Sequence, residues 1–179
     1  MKKIIIAIDS FKGCLTSAEA GKAAEKGIKS INPFCHTSVI PIADGGEGLL
    51  DVLITATKGK YITLSAHGPL MKMAKTHYGL SGNGRTAIIE MAAISGLPLV
   101  PIEQRNPMLT TTFGTGELIK DALNKGCRNF IIGIGGSATN DAGLGMLQAL
   151  GFRFLDKSGH TLGCLLYTSP SPRDRTRSR

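Results

Sequence analysis

No two cysteines in this chain are spaced as CxxC. Cys14, Cys35, Cys127 and Cys164 stand far apart, which excludes a zinc ribbon or a dithiol redox pair and reads as free thiols in a reducing cytosol. No stretch approaches the roughly 18 apolar residues that a membrane helix needs. The opening MKKIIIAIDS starts as a secretion signal does, but its apolar run stops at Asp9, too early for a signal's hydrophobic region. A cytoplasmic protein with no membrane partner is expected. Tryptophan is absent, and no basic run is interleaved with aromatics, so a nucleic-acid partner is not expected either. The pattern G-x-x-x-x-G-K-[ST] is missing, which excludes a P-loop. There is no internal repeat.

What is present suffices for a core. The 179 residues are 42% apolar, enough for one domain or parts of two. The formal charge is +8. Part of that sits in the last fifteen residues, LYTSPSPRDRTRSR with one leucine before them, which hold four Arg and one Asp. The remaining mildly basic body suits anionic small substrates.

Strand and helix patterns alternate. KIIIAID is a continuous β-branched run, the mark of a strand buried on both faces. TSAEAGKAAEKGIKS reads as a helix with capping-box spacing between Thr16 and Glu19. HTSVIPIAD is a strand, and Leu49, Val52, Leu53 and Ala56 mark an amphipathic helix. YITLSA and AKTHYGLS are shorter strands, possible partners of each other. RTAIIEMA is another buried strand, TGELIKDALNKG a helix closed by Gly126, RNFIIGI a strand, AGLGMLQALG a helix and FRFLD a strand. The alternation predicts an α/β fold with a mainly parallel sheet, its rhythm broken near residues 60–80.

In such sheets ligands sit beyond the carboxyl ends of the strands. After the first strand come Asp9, Ser10 and Lys12: a metal or proton ligand, a hydrogen-bonding hydroxyl and a point charge for phosphate or carboxylate, or else a plain turn with a solvated lysine. After the second comes ADGGEG, with Asp44 and Glu47 flanking Gly45 and Gly46. These acids either share Mg²⁺, or Asp44 caps the next helix. Glu90 ends an apolar run, where a carboxylate needs a partner. IGIGGSATNDAGLGM follows the fourth long strand. Gly133, Gly135 and Gly136 can expose amides as an anion nest, Ser137, Thr139 and Asn140 add donors, and Asp141 either caps the helix or holds a cation. The Thr/Gly loop TTTFGTGEL before another helix offers donors or merely a cap. Carboxylates, one lysine and glycine nests meeting along one rim suit Mg-assisted phosphoryl transfer. A competing signal exists: GIGGSA satisfies G-x-G-x-x-A, and Asp156 ends the next expected strand, as in a nicotinamide-dependent oxidoreductase. Asp141 would crowd a pyrophosphate there.

IAIDSFKGCLTSAEA, PIADGGEG, AIIEMAAISGLPLV, TTTFGTGELI and IGIGGSATNDAGLGMLQALGFRFLD, in this order, resemble the bacterial glycerate kinase family of the glycerate 2-kinase type. The resemblance runs through about residues 2–163. It implies ATP as donor, Mg²⁺, D-glycerate as acceptor and 2-phosphoglycerate as product, with 3-phosphoglycerate as the alternative. It also implies two α/β domains, one Rossmann-like and one inserted, with the site between them. On this sequence that means a Rossmann-like segment over 1–65, a second α/β domain or insertion over 66–163 and a tail over 164–179. Catalytic candidates are Lys12, Asp44 and Asp141, the two acids doubling as metal ligands. Asp9, Ser10, Gly45, Gly46 and Glu47 are the substrate-binding candidates, and Gly135, Gly136, Ser137, Thr139 and Asn140 those for the nucleotide. Family members run to roughly twice this length. The tail resembles translated adapter or vector sequence joined near Gly163 rather than a functional basic arm. A sheet cut halfway leaves open edges and bare apolar faces, so an unstable or inactive fragment is expected.

Overall fold

The computed structural model describes residues 3–161. Cys164 and the expected tail at 164–179 lie outside the described residues.

Strands β1 (Lys3–Ile6) and β2 (His36–Val39) pair in parallel through helix α1 (Ser17–Ile31). The capping box at the start of α1 is formed. Thr16 Oγ1 accepts from the Glu19 amide at 3.2 Å, and the Glu19 carboxylate accepts from the Thr16 amide at 2.9 Å, so two orphan donors are satisfied. Helix α2 (Leu49–Thr57) leads to a second sheet, ordered β3 (Lys60–His67), β4 (Met73–Leu80), β5 (Thr86–Glu90) and β6 (Asn129–Gly133). The first two pairings are antiparallel and the last is parallel. Between β5 and β6 run α3 (Ala92–Ser95), three short 3₁₀ turns and α4 (Phe113–Asn124), and α5 (Leu144–Ala149) then packs along α4.

The fold is α/β, as the alternation predicts, but the larger sheet is mixed rather than mainly parallel. Two short hairpin turns join β3, β4 and β5, and a hairpin can only make an antiparallel pair. Strand β5 lies at the centre. Ala87 and Ile89 pack with Ala66, Tyr78, Leu118 and Ala122 on the α4 side. Ile88 meets Leu50 and Ile54 of α2 on the other.

Residue 65, the expected boundary between the two segments, lies within β3, which pairs with β4 from Lys60 to His67, and α2 also packs on β5. Two expectations are corrected. The run KIIIAID is not buried on both faces: Ile5 is 59% exposed, because α1 covers one side of a two-stranded sheet. FRFLD forms no strand but a lone bridge between Leu155 and Thr161. Asp156 turns the chain there, its Oδ1 accepting from the Ser158 and His160 amides at 2.8 and 2.9 Å.

Candidate functional site

The loop after β1 is fixed at both ends. Ser17 Oγ, at the start of α1, donates to the Ile8 carbonyl at 2.6 Å and accepts from the Ile42 amide at 3.0 Å, joining the exit of β1 to the segment after β2. Phe11 and Leu15 exchange backbone hydrogen bonds at 2.8 and 3.0 Å, which leaves Lys12 exposed at the tip of a closed turn. Asp9 Oδ1 accepts the Ser10 amide at 2.6 Å.

Glu90 finds its partner at the start of α2. Its Oε2 accepts from the Gly48 and Leu50 amides at 3.1 and 3.2 Å, and it thus performs the capping for which Asp44 was a candidate. Burial pushes the Glu90 carboxyl above the usual carboxylate range, while the two amides pull the other way. A cleft of about 510 Å³ opens between this helix start and the β1 loop, bringing Asp9, Ser10, Lys12 and Glu47 together over Glu90. Asp51 and His77 line it too, and sequence reasoning missed both. Asp51 Oδ1 accepts from the Tyr61 hydroxyl at 2.6 Å, a hydrogen bond that pushes the phenol up to about 12. The His77 ring stands edge-on to Tyr61 at 5.5 Å. The available signal for Asp51 was its place one helical turn past Glu47. For His77 it was the alternation of β4, which turns it to the face opposite buried Thr76 and Tyr78.

The glycine-rich loop after β6 lies against the second loop. The Gly135 amide donates to the Gly45 carbonyl at 3.0 Å, and a Cβ at Gly135 would come within 2.6 Å of Gly46 Cα. Two backbones touch where no side chain fits. Gly136, at φ +72°, turns the chain so that its carbonyl accepts from Leu97 and the Ala138 amide donates to Ser95, at 3.0 and 2.9 Å. Ser137 and Thr139, their hydroxyls 2.8 Å apart, line a second hollow of about 250 Å³ together with Arg105. Asn140 is exposed. Arg105, which sequence reasoning also missed, stands in the polar, Pro-punctuated stretch PIEQRNP and is carried to this loop by folding alone.

Asp141 is enclosed by the protein. It is 1% exposed. Its Oδ2 accepts from Thr111 Oγ1 (3.2 Å), the Thr112 amide (2.7 Å), Thr112 Oγ1 (2.8 Å) and the Gly145 amide (3.2 Å), and its Oδ1 accepts from the Gly143 amide (3.1 Å). The carboxylate pins the starts of α4 and α5 together, and its lone pairs are engaged by protein donors. The Thr/Gly loop is structural for the same reason, with Thr115 paired to Ser95 at 2.9 Å. The turns therefore meet, but the three acids do not share one rim. Asp9 lines the larger cleft, Asp44 lies outside its lining with Oδ1 on the Gly46 amide at 2.9 Å, and Asp141 is interior. No strand ends at Asp156, which turns the chain instead.

Among the described residues no group of three or more His, Cys, Asp or Glu can hold a metal ion. Mg²⁺ needs no such group when one carboxylate, phosphate oxygens and waters complete its octahedron. Exposed Asp44, whose Oδ2 has no protein partner among the described residues, fits that pattern; Asp141 does not. Among the described residues no helix is long and apolar enough to cross a membrane.

Polar, glycine-rich turns beyond the strand ends meet around two hollows of an α/β fold, the place where such folds bind small ligands. The chain belongs to the glycerate kinase family, whose sequence profile matches residues 4–168. It is 55% identical over 161 residues to a glycerate kinase of Bacillus subtilis, covering 90% of this chain and 42% of that protein. It is 51% identical to the glycerate 2-kinase of Escherichia coli, again covering 90% and 42%. A crystal structure from Salmonella typhimurium LT2, with a provisional glycerate kinase 2 name, superposes with a TM-score of 0.79 at 48% identity, covering 92% of this chain and 44% of that one. The chain thus spans less than half the length of these relatives.

Proposed function

We propose that the whole-length protein containing this chain transfers the γ-phosphoryl group of ATP to the 2-hydroxyl of D-glycerate, giving 2-phosphoglycerate and ADP, in the cytoplasm. The observation that carries this reading is the convergence of loops: Asp9–Lys12 and Glu47 share one cleft, and Gly45 and Gly46 back directly onto the 133–140 turn. Lys12 supplies a point charge for the glycerate carboxylate or a phosphate. Asp9, Ser10, Gly45, Gly46 and Glu47 hold glycerate, and Gly135, Gly136, Ser137, Thr139 and Asn140 hold the phosphates of ATP. Asp44 is the acid left to orient the hydroxyl or to hold Mg²⁺ through Oδ2. When bound, Mg²⁺ offsets the charge on the transferring phosphoryl oxygens. The name glycerate 2-kinase on the Escherichia coli relative favours the 2-hydroxyl over the 3-hydroxyl. The activity is expected of the whole-length protein and not of residues 1–179 alone.

The test is turnover of ATP and D-glycerate by the whole-length protein, with the product read by ³¹P NMR. Lys12→Ala and Asp44→Asn are each expected to lower kcat/KM by about 100-fold. Wild-type turnover in both variants overturns the assignments, and a 3-phosphoglycerate signal overturns the position.

A further inference from the structure

The second hollow has a chemistry of its own. Val100, Arg105, Asn106, Thr110, Ser137 and Thr139 line it. Arg105 is the only cation among the described residues that line it, and no Asp or Glu is among them. The guanidinium is held by Nε, which donates to the Val100 carbonyl at 3.2 Å. Its Nη1 and Nη2 have no hydrogen bond or ion pair to the described residues. The remaining polar groups also arrive as donors. Asn106 Oδ1 is occupied by the Met108 amide at 3.0 Å, which leaves the side-chain NH₂. Ser137 Oγ already accepts from the Thr139 amide at 3.1 Å. Once one O–H joins the Ser137 and Thr139 oxygens, 2.8 Å apart, the other O–H is left to point elsewhere. Thr110 Oγ1 is turned to the Ala138 and Pro107 carbonyls, at 2.8 and 3.2 Å.

A pocket with spare donors, a fixed guanidinium fork and no carboxylate is complementary to a tetrahedral oxyanion. The larger cleft is the poorer place for one, since Asp9, Glu47, Asp51 and Glu90 face it against Lys12. We infer that this hollow is a phosphate-binding subsite anchored by Arg105, with Asn106 and the spare hydroxyl of the Ser137–Thr139 pair as its further donors. The phosphate belongs to a nucleotide or to a phosphorylated hydroxy acid. The inference rests on the kinase reading only for which molecule carries that phosphate. A guanidinium fork engages two oxygens of one phosphate; pyrophosphate offers such a pair on each phosphorus and carries more charge than inorganic phosphate, so it is the probe of choice.

The test titrates the chain with pyrophosphate and follows backbone amide NMR shifts. Saturable shifts at Arg105, Asn106 and 137–140 are expected. Arg105→Met should raise the dissociation constant by about tenfold or more, the usual effect of deleting a charged hydrogen-bonding partner. Arg105→Lys, which keeps the charge and loses the fork, should fall between. Thermal melting reports whether each variant folds. Should Arg105→Met melt early, Thr139→Val carries the test, with a several-fold loss of affinity expected. Pyrophosphate binding unchanged in Arg105→Met, or in a folded Thr139→Val, overturns the proposal, as do shifts that map to Asp9 and Lys12. Competition then names the bearer: displacement by ADP points to the nucleotide, and displacement by 2-phosphoglycerate to the product. Arg105-dependent pyrophosphate binding in a protein whose whole-length form turns over no glycerate leaves the subsite standing and removes the kinase reading.

Discussion

Strands β1 and β5 carry nearly the same kind of sequence and meet opposite fates. Ala87, Ile88 and Ile89 of β5 are all 0% exposed, because β4 and β6 flank the strand, α4 covers one face and α2 the other. In β1 only Ile6 is buried, and Ile5 faces outward. Its surroundings are no drier: Ile31, the last residue of α1, and Phe34, just past it, are 88% and 87% exposed. A continuous apolar run states that a strand can be buried on both faces; whether it is depends on layers the run does not encode. The site inherits this asymmetry. One wall of the larger cleft, with Glu47 and Glu90, rests on the well-packed four-stranded sheet. The other, with Asp9 and Lys12, rests on a two-stranded sheet with one covered face. Walls of unequal stability are a common way to let one side of a site move.

The largest effect that can break this contrast is a pair of truncations. Leu118→Ala deletes a fully buried side chain in the α4 core and should destabilise the chain by about 4 kcal/mol. Ile5→Ala removes an exposed one and should change stability by no more than about 0.5 kcal/mol. Urea unfolding of both variants measures the difference; equal losses would dissolve the distinction between the two sheets. Next in size is Asp141→Asn. The amide that replaces one carboxylate oxygen would confront N–H groups where it must accept, so about 3 kcal/mol is expected from donors left unsatisfied. A folded variant as stable as wild type would mean that Asp141 is not the internal tie between α4 and α5.

Much of the fold was legible because it is local. The capping box needs only Thr16 and Glu19 in register, and the hairpin of YITLSA with AKTHYGLS needs only alternation and a turn. The mixed sheet was not legible, since strand direction depends on which neighbour the hairpins select. Within the site, the glycines of ADGGEG and IGIGGSATND announced a close approach, and Gly45, Gly46 and Gly135 make one. The surroundings of Asp141 were not legible, because a carboxylate beside glycines looks the same in sequence whether it faces solvent or four buried donors. Only the fold of Thr111 and Thr112 over it decides that. Arg105 was invisible for the opposite reason. It stands in no glycine-rich or motif-bearing stretch, and Ser137 and Thr139, which line the hollow with it, arrive from another loop.

The smallest expected effect tests the seam between the two regions. Glu90 ends β5, caps α2 and faces the cleft. Burial raises its pKa in the folded protein above the ordinary 4.5, with the charges of Asp51 and Glu47 adding to the rise. The folded state then holds a proton that the unfolded state has released, so stability falls as pH climbs from the ordinary glutamate value through the raised one and is level beyond it. Glu90→Gln keeps the shape and an acceptor for the Gly48 and Leu50 amides but removes the titration. Melting temperatures of the two proteins from about pH 4 to about pH 8 should therefore diverge, the variant losing less, by on the order of 1 kcal/mol at most. The direction matters more than the size. If wild type instead gains on the variant as pH rises, the two amides outweigh burial, the carboxylate is a favourable anionic cap, and the seam between cleft and core is held by charge rather than at its expense.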